Sequence, residues 1–600
     1  MKNKPVKNKP ASITYEISCL HSGVTGSSII LMIHFPNGDT RHILIDCGMY
    51  QEFEYNKYNF DFPTQFHPEN IDYVFLTHTH IDHCGRLPLL VKKGYYNNIY
   101  CTNVAKRLLW PALFDCAKIL DYESRKLKTF VEPLYELEDV KRTLNRCRGL
   151  NYNNTFSLDD NLNVTLLGNA HLMGAAMVLL QVSYPCCETI NLLFTGDYNV
   201  NNLFQDIPGI PKWVKNLKLI VFQESTYGDS TTGSINYTYD DTLLSLINEN
   251  KTVVSPVIAC ERAEQVLLKL KKLQDENLLS KSVPIYLAGS LAIEYFKIFI
   301  EESKVDFIPE NLILVSTSNH LSLVSEMIGT KDILIIDEIP GDVLQSTTPK
   351  IILTTSGMAD KGKAPYYLSR LVHREDVAIL FTCYLPSSTL GYTLKNAKKG
   401  QDHTFNIYGV KVKTQINCDI FCCNEFSSHA KADQLLDFLR IFPNLVGVFV
   451  NHGEIKTKEI YSEMIEKELN PMFVEILDRS VFYSMSEFDI IKIACSKYST
   501  IEELKQISRK ERKDRKIISK KSKPKYKMPP AKSARLSYQI PPLLSTTFFY
   551  DFFIMIILHY ILKFLKKADT YKCTRFLYLF CFLYRINASL SFCSTFSFEF

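Results

Sequence analysis

The segment Thr77-His78-Thr79-His80-Ile81-Asp82-His83-Cys84-Gly85 gathers three imidazoles and a carboxylate within six residues. These are the donor types that bind zinc and similar divalent ions. The segment follows the apolar run 73–76, which places it at the end of a buried strand. In extended backbone, residues two apart point the same way, so His78 and His80 aim at one point. Asp82 and His83 follow on a tightening loop and aim at a second. A lone histidine is more often a satisfied core or surface group, but four such donors at this density favour a metal.

One such segment cannot complete two metal shells, so further ligands must arrive from elsewhere. His171 stands in Asn169-Ala170-His171-Leu172-Met173-Gly174, after the apolar run 164–167. Asp197 closes Phe194-Thr195-Gly196-Asp197, after 191–195, and His452 stands in Val450-Asn451-His452-Gly453-Glu454, after 447–450. Singly, each would read as a cap or turn residue. All three close an apolar strand, where loops carry sites, and that shared placement joins them to the metal reading.

The elements that must position these groups are legible as alternating strands and helices over residues 12–475. Further β-rich runs fall at 43–46, 177–183, 217–222, 252–257, 284–287, 312–315, 333–336, 351–354 and 377–382. Ala263, Val266, Leu267, Leu270 and Leu273 share one helical face, as do Ala432, Leu435, Leu436 and Leu439. Buried strands interleaved with helices predict an α/β layered architecture.

Of the 600 residues, 46% are apolar and 22% charged, which excludes a wholly disordered, collagen-like or coiled-coil chain. The 17 cysteines form no C-x₂-C pair, and the opening Met-Lys-Asn-Lys lacks an apolar h-region. Reduced thiols in an intracellular protein are therefore expected, with cytoplasmic placement, the nucleus or a membrane surface being the alternatives. Residues 509–535 hold 13 Lys/Arg against Glu511 and Asp514, so this one segment carries +11 within a chain of net +5. The rest is acidic at −6. The run reads as a nucleic-acid or acidic-lipid contact, an import signal or a solvated linker. Residues 543–565 are long and apolar enough to span a bilayer, although Asp551, His559 and Lys563 interrupt them.

These segments resemble the motifs of the metallo-β-lactamase fold. Ile45-Asp46-Cys47-Gly48 is similar to the first motif, the H-x-H-x-D-H to the second, and the His171 and Asp197 segments to the third and fourth. The resemblance implies one metal on His78, His80 and His171 and another on Asp82, His83 and His452. Asp197 would bridge the two, and Asp46 would support the loop from behind. Glu224-Ser225-Thr226-Tyr227-Gly228-Asp229, Phe426-Ser427-Ser428-His429-Ala430 and Asn451-His452-Gly453-Glu454 resemble motifs A, B and C of the β-CASP nucleases. The motif A loop runs on through Ser230-Thr231-Thr232, without the Arg and His often found there. Relatives of the RNA-cleaving type, prokaryotic homologues of the endonuclease of the cleavage and polyadenylation complex, match best.

The resemblance implies an αββα sandwich at 12–230 and 406–475 with an inserted β-CASP α/β domain at 231–405. A basic linker at 476–540 and an apolar tail at 541–600 would follow. It further implies a ribonuclease using two Zn²⁺ (or Mn²⁺), acting as an endonuclease and in some members as a 5′–3′ exonuclease. Products would be a 5′-phosphate and a 3′-hydroxyl. Glu224 would orient His429 as general acid, and Arg262 with the Ser356-Gly357 loop would contact RNA phosphates. RNA is the expected partner, with a homodimer or an RNA-processing complex and a membrane contact through 543–565 as further expectations. A small-molecule metallo-hydrolase of thioesterase or lactonase type, a non-catalytic subunit and a DNA nuclease are the rival readings.

Overall fold

Alternating apolar residues sort the strands of the first part of the chain into two faces. In Thr40–Ile45, Ile43 and Ile45 turn inward and Leu44 outward; in Ile190–Phe194, Leu192 and Phe194 turn inward and Leu193 outward. The computed structural model describes residues 12–494, apart from 22, 52–55, 61, 63–65, 127–132, 233–237, 317–332, 408, 424, 480 and 487–488.

Two mixed sheets face each other. The first runs in the order Asp489–Ala494, Val481–Ser486, Thr14–Cys19, Ile29–His34, Thr40–Ile45, Tyr73–Phe75, Ile99–Thr102, Cys147–Leu150. The second runs Phe473–Ile476, Leu445–Asn451, Leu219–Glu224, Ile190–Phe194, Ala176–Val182, Leu162–Gly168, Thr155–Asp159. Their inner faces share one core that includes Tyr15, Leu31, Phe75, Val178, Phe194, Phe222 and Phe449. The outer face of the first sheet is covered by helices Leu87–Lys92, Asn103–Lys126 and Leu137–Arg146, and that of the second by Ala432–Arg440 and Ile455–Leu469. This is the αββα sandwich.

Leu219–Glu224 and Leu445–Asn451 pair in parallel as neighbouring strands of the second sheet. Between them in sequence lies a third sheet, ordered Leu334–Ile336, Leu312–Val315, Ile285–Ala288, Lys350–Thr354, Thr252–Pro256, Val377–Phe381, Asp419–Cys422. All its pairings are parallel, and helices lie on both faces, as parallel sheets require. The insert and the sandwich share a core. Leu172, Met173 and Ala175, beside His171, pack in one cluster with Val257, Ala259 and Tyr295.

Two expected boundaries move. The insert does not end at 405: Asp419–Cys422 adds its last strand after the hairpin Gln401–Ile407/Val410–Ile416. That hairpin is polar and half exposed, so it shows no continuous apolar run. Nor does a linker begin at 476, because Val481–Ser486 pairs antiparallel with Thr14–Cys19 and widens the first sheet. The run 509–535, the stretch 543–565 and the tail lie outside the described residues. Among the described residues no helix is long and apolar enough to cross a membrane.

Phe222 is stacked between Phe194 and Phe449, with ring centroids at 4.2 and 4.8 Å. Phe222→Ala should destabilise the fold by about 3–5 kcal/mol, read as a lowered urea midpoint.

Candidate metal centre

Six strands deliver their functional groups to one edge of the sandwich. Asp46 follows Thr40–Ile45, Thr77 to His80 follow Tyr73–Phe75, and His171 follows Leu162–Gly168. Asp197 follows Ile190–Phe194, Glu224 ends Leu219–Glu224, and His452 follows Leu445–Asn451. In layered α/β sheets the crevice beyond the strands' carboxyl ends is where ligands bind. Asp82 and His83 lie on a single helical turn, Ile81–Cys84, rather than on an irregular loop.

Seven side chains converge there in two overlapping groups: His78, His80, His171 and Asp197, and Asp82, His83, Asp197 and His452. In the first, His80 Nδ1 lies 3.2 Å from His78 Nε2 and 3.0 Å from His171 Nε2. Asp197 Oδ2 lies 3.6 Å from each of those two Nε2 atoms. In the second, His83 Nε2 lies 3.3 Å from His452 Nε2 and 3.2 Å from Asp197 Oδ1. Asp82 Oδ2 completes it, 3.8 Å from His452 Nε2. Asp197 therefore turns one oxygen to each group.

The donors fit a pair of divalent ions. Around a tetrahedral ion with donors at about 2.0–2.1 Å, neighbouring donors stand about 3.3–3.4 Å apart, close to most of the separations here. His78, His83, His171 and Asp197 are at most 2% exposed. Among the described residues the Oδ1 of Asp197 has no hydrogen-bond partner, although ring nitrogens stand 3.2 and 3.3 Å away. A buried, unsatisfied carboxylate oxygen is costly unless a cation faces it.

The electrostatics of three rings agree with ligand duty. Burial, with neighbouring imidazoles, holds His78 and His171 well below the usual histidine value, and burial takes His80 down to about 4. These rings are neutral, as metal ligands must be. Burial opposes charge on His83, but Asp197 and Asp46 hold its pKa well up. Burial likewise opposes charge on Asp197, yet the His452 and His83 rings hold it well below the carboxylate range.

Outer partners fix the rings. Asp46, held at a left-handed φ of 60°, accepts from Thr77 N and Thr77 Oγ1, both at 2.8 Å, and meets His83 Nδ1 at 2.7 Å. Gly48 brings this loop against the metal segment: a Cβ there would lie 1.6 Å from the Asp82 carbonyl oxygen. His171 Nδ1 donates to the Ser428 carbonyl at 2.8 Å, and His452 Nδ1 lies 3.0 Å from Thr226 Oγ1. Asn169 donates to the carbonyls of Thr195 and Asp197 and accepts from His171 N. Thr226, Asn169 and the Ser428 carbonyl were not identified from sequence. All three sit inside segments quoted above, but nothing in their type announces these bonds.

His429 stands beside the cluster, partly exposed, with Nδ1 2.9 Å from Glu224 Oε2 and Nε2 3.9 Å from Asp197 Oδ2. Glu224 is fully buried and also accepts from Tyr198 N and Thr226 N. Burial works against charge on His429, but Glu224, Asp197 and Asp82 raise its pKa to about 9.

The expected RNA contacts lie elsewhere. Arg262 is buried, and its guanidinium donates to the carbonyls of Thr382 and Phe426 and to Gln265 Oε1. Each of its three nitrogens donates inside the protein, which corrects the expectation of a phosphate grip. Ser356 and Gly357 lie on a loop past Lys350–Thr354, where Ser356 bonds Lys361 and Gly357 sits against Ile258 and the Cys383 thiol. Neither belongs to the donor groups above.

Three family models match: the metallo-beta-lactamase superfamily over residues 23–144, the Beta-Casp domain over 263–394, and the Zn-dependent metallo-hydrolase RNA specificity domain over 413–476. A Lokiarchaeum transcription termination factor, FttA, is 28% identical over 459 residues, covering 74% of this chain and 67% of its own. A Thermus thermophilus ribonuclease is 28% identical over 451 residues, covering 72% and 91%. The Integrator complex subunit 11 of Danio rerio is 25% identical over 446 residues, covering 72% and 66%. The chain thus spans about two thirds of the termination factor and of the Integrator subunit.

Asp46→Ala should lower the affinity for divalent metal by about 10–100-fold, measured by competition with a chromogenic chelator.

Proposed function

The chain belongs to the β-CASP family of metallo-β-lactamase-fold proteins, and on that premise we propose that it is a zinc-dependent endoribonuclease. It hydrolyses RNA phosphodiester bonds to leave a 5′-phosphate and a 3′-hydroxyl. One observation carries the reading: a single buried carboxylate, Asp197, faces two donor groups at once, with a histidine–glutamate pair alongside. The ribonuclease name of the Thermus relative and the RNA specificity model at 413–476 support RNA as the substrate. Five buried or nearly buried imidazoles with carboxylates suit zinc better than magnesium or calcium, which prefer oxygen donors.

His78, His80 and His171 would hold one ion, Asp82, His83 and His452 the other, and Asp197 both. When bound, two such ions supply an acidified water and neutralise charge on the phosphoryl oxygens. The chain's own groups do the rest. Asp46, Thr226 and the Ser428 carbonyl keep the imidazoles aimed inward. Glu224 takes the Nδ1 side of His429, which turns Nε2 toward the cluster. From there His429 hands a proton to the departing 3′-oxygen. Glu224 fixes the ring's orientation and favours its protonated state.

The test is a radiolabelled RNA oligomer incubated with Zn²⁺ or Mn²⁺, with product ends mapped. Asp197→Ala should abolish cleavage while far-ultraviolet circular dichroism stays unchanged; a wild-type rate in that variant refutes the reading. His429→Ala should retain its metal and lose about 10²–10⁴-fold in kcat. A protein that hydrolyses thioesters or lactones and spares RNA is instead a small-molecule hydrolase.

A further inference from the structure

Glu261 and Arg262 open the insert's helix Arg262–Asp275, and both are buried. They reach in different directions. The Glu261 carboxylate accepts from the backbone N–H of Met173 at 2.6 Å, two residues past His171. Its other oxygen accepts from Asn202 Nδ2 at 2.7 Å, on the stretch that follows Asp197. Asn202 Oδ1 in turn accepts from Phe204 N and Gln205 N, and Gln205 Oε1 accepts from Gly174 N. One carboxylate thus ties together the segments beyond two ligands of the same ion. Arg262 donates to the Thr382 carbonyl, at the end of an insert strand, and to the Phe426 carbonyl. Phe426 begins the loop that carries both the Ser428 carbonyl, which holds His171 Nδ1, and His429.

Glu261 is itself held at a φ of 63°, the left-handed region that side chains other than glycine, asparagine and aspartate rarely adopt. A strained residue persists only where its surroundings over-determine it. Here three donors, on Met173, Asn202 and Gln265, fix the carboxylate. Glycine would suit this backbone better, so the bonds of the side chain must offset the strain.

We propose that Glu261 and Arg262 are positioning residues through which the inserted domain holds His171 and His429 in register with the metal centre. The proposal rests on the assignment of those two histidines made above. It makes the insert part of the metal site's support, and it accounts for an arginine whose three nitrogens each bond inside the protein.

The test uses the full chain with Glu261→Gly and Arg262→Lys, the first relieving backbone strain and the second retaining charge. Melting temperature is read on metal-free protein, zinc affinity by chelator competition, and ligand geometry from the visible spectrum of the cobalt-loaded protein. Glu261→Gly should still melt cooperatively, bind zinc about 10–100-fold more weakly, and change the cobalt spectrum. Arg262→Lys should also change that spectrum, and should lower kcat on RNA about tenfold or more with KM within about twofold. A wild-type zinc affinity and cobalt spectrum in Glu261→Gly overturns the proposal. So does a collapse of the metal-free melting temperature, which makes the pair a fold support, or a rise in the KM of Arg262→Lys with kcat kept, which makes Arg262 an RNA contact. A wild-type protein that binds cobalt but cuts no RNA defeats the ribonuclease reading while the cobalt comparison still decides this one.

Discussion

Burying the Asp197 carboxylate where water cannot reach it is unfavourable unless positive charge surrounds it. Most of the structure around the site follows from meeting that demand. The two sheets bring strand ends from distant parts of the chain to one rim, and each delivers a donor. Because the carboxylate has two oxygens facing opposite donor groups, it sets the spacing of both. Misplacing either group leaves a charged oxygen stranded, so the loops need firm outer support. Asp46, Asn169, Thr226 and the Ser428 carbonyl provide it at distances of 2.5–3.0 Å.

A second consequence concerns proton placement. Rings held neutral and rings that favour the proton sit within one cluster, separated by their partners rather than by distance. His171 and His429 have ring centroids only 4.7 Å apart. His171 turns Nδ1 to a carbonyl and its Nε2 inward, whereas His429 turns Nδ1 to a carboxylate. A carbonyl fixes a tautomer without favouring charge as strongly as a carboxylate does. Two imidazoles nearly in contact can therefore hold different protonation states.

The donors were legible because their chemistry is concentrated and their placement regular. His78, His80, Asp82 and His83 fall within six residues, and His171, Asp197 and His452 each follow an apolar run that became a strand. The layered architecture was equally open to reading, since buried parallel strands appear as continuous apolar runs. What escaped was information carried by geometry rather than by residue type. Nothing about Arg262 tells whether its guanidinium faces phosphate or carbonyl. The hairpin Gln401–Ile407/Val410–Ile416 has polar residues on both strands, and Val481–Ser486 joins the first sheet only through a pairing across most of the chain. Asn169 looks like a turn residue until the loops it bridges are folded.

That last pairing reaches into the protein's synthesis. The strand Thr14–Cys19 emerges from the ribosome early, but its second neighbour, Val481–Ser486, is among the last described segments to be made. At about 5–20 residues per second, roughly 20–90 s separate the two. Throughout that interval one side of Thr14–Cys19 offers unpaired amides and carbonyls, the kind of template on which stray strands dock. A nascent chain of this topology therefore has reason to be shielded by a chaperone until its own distant segment arrives.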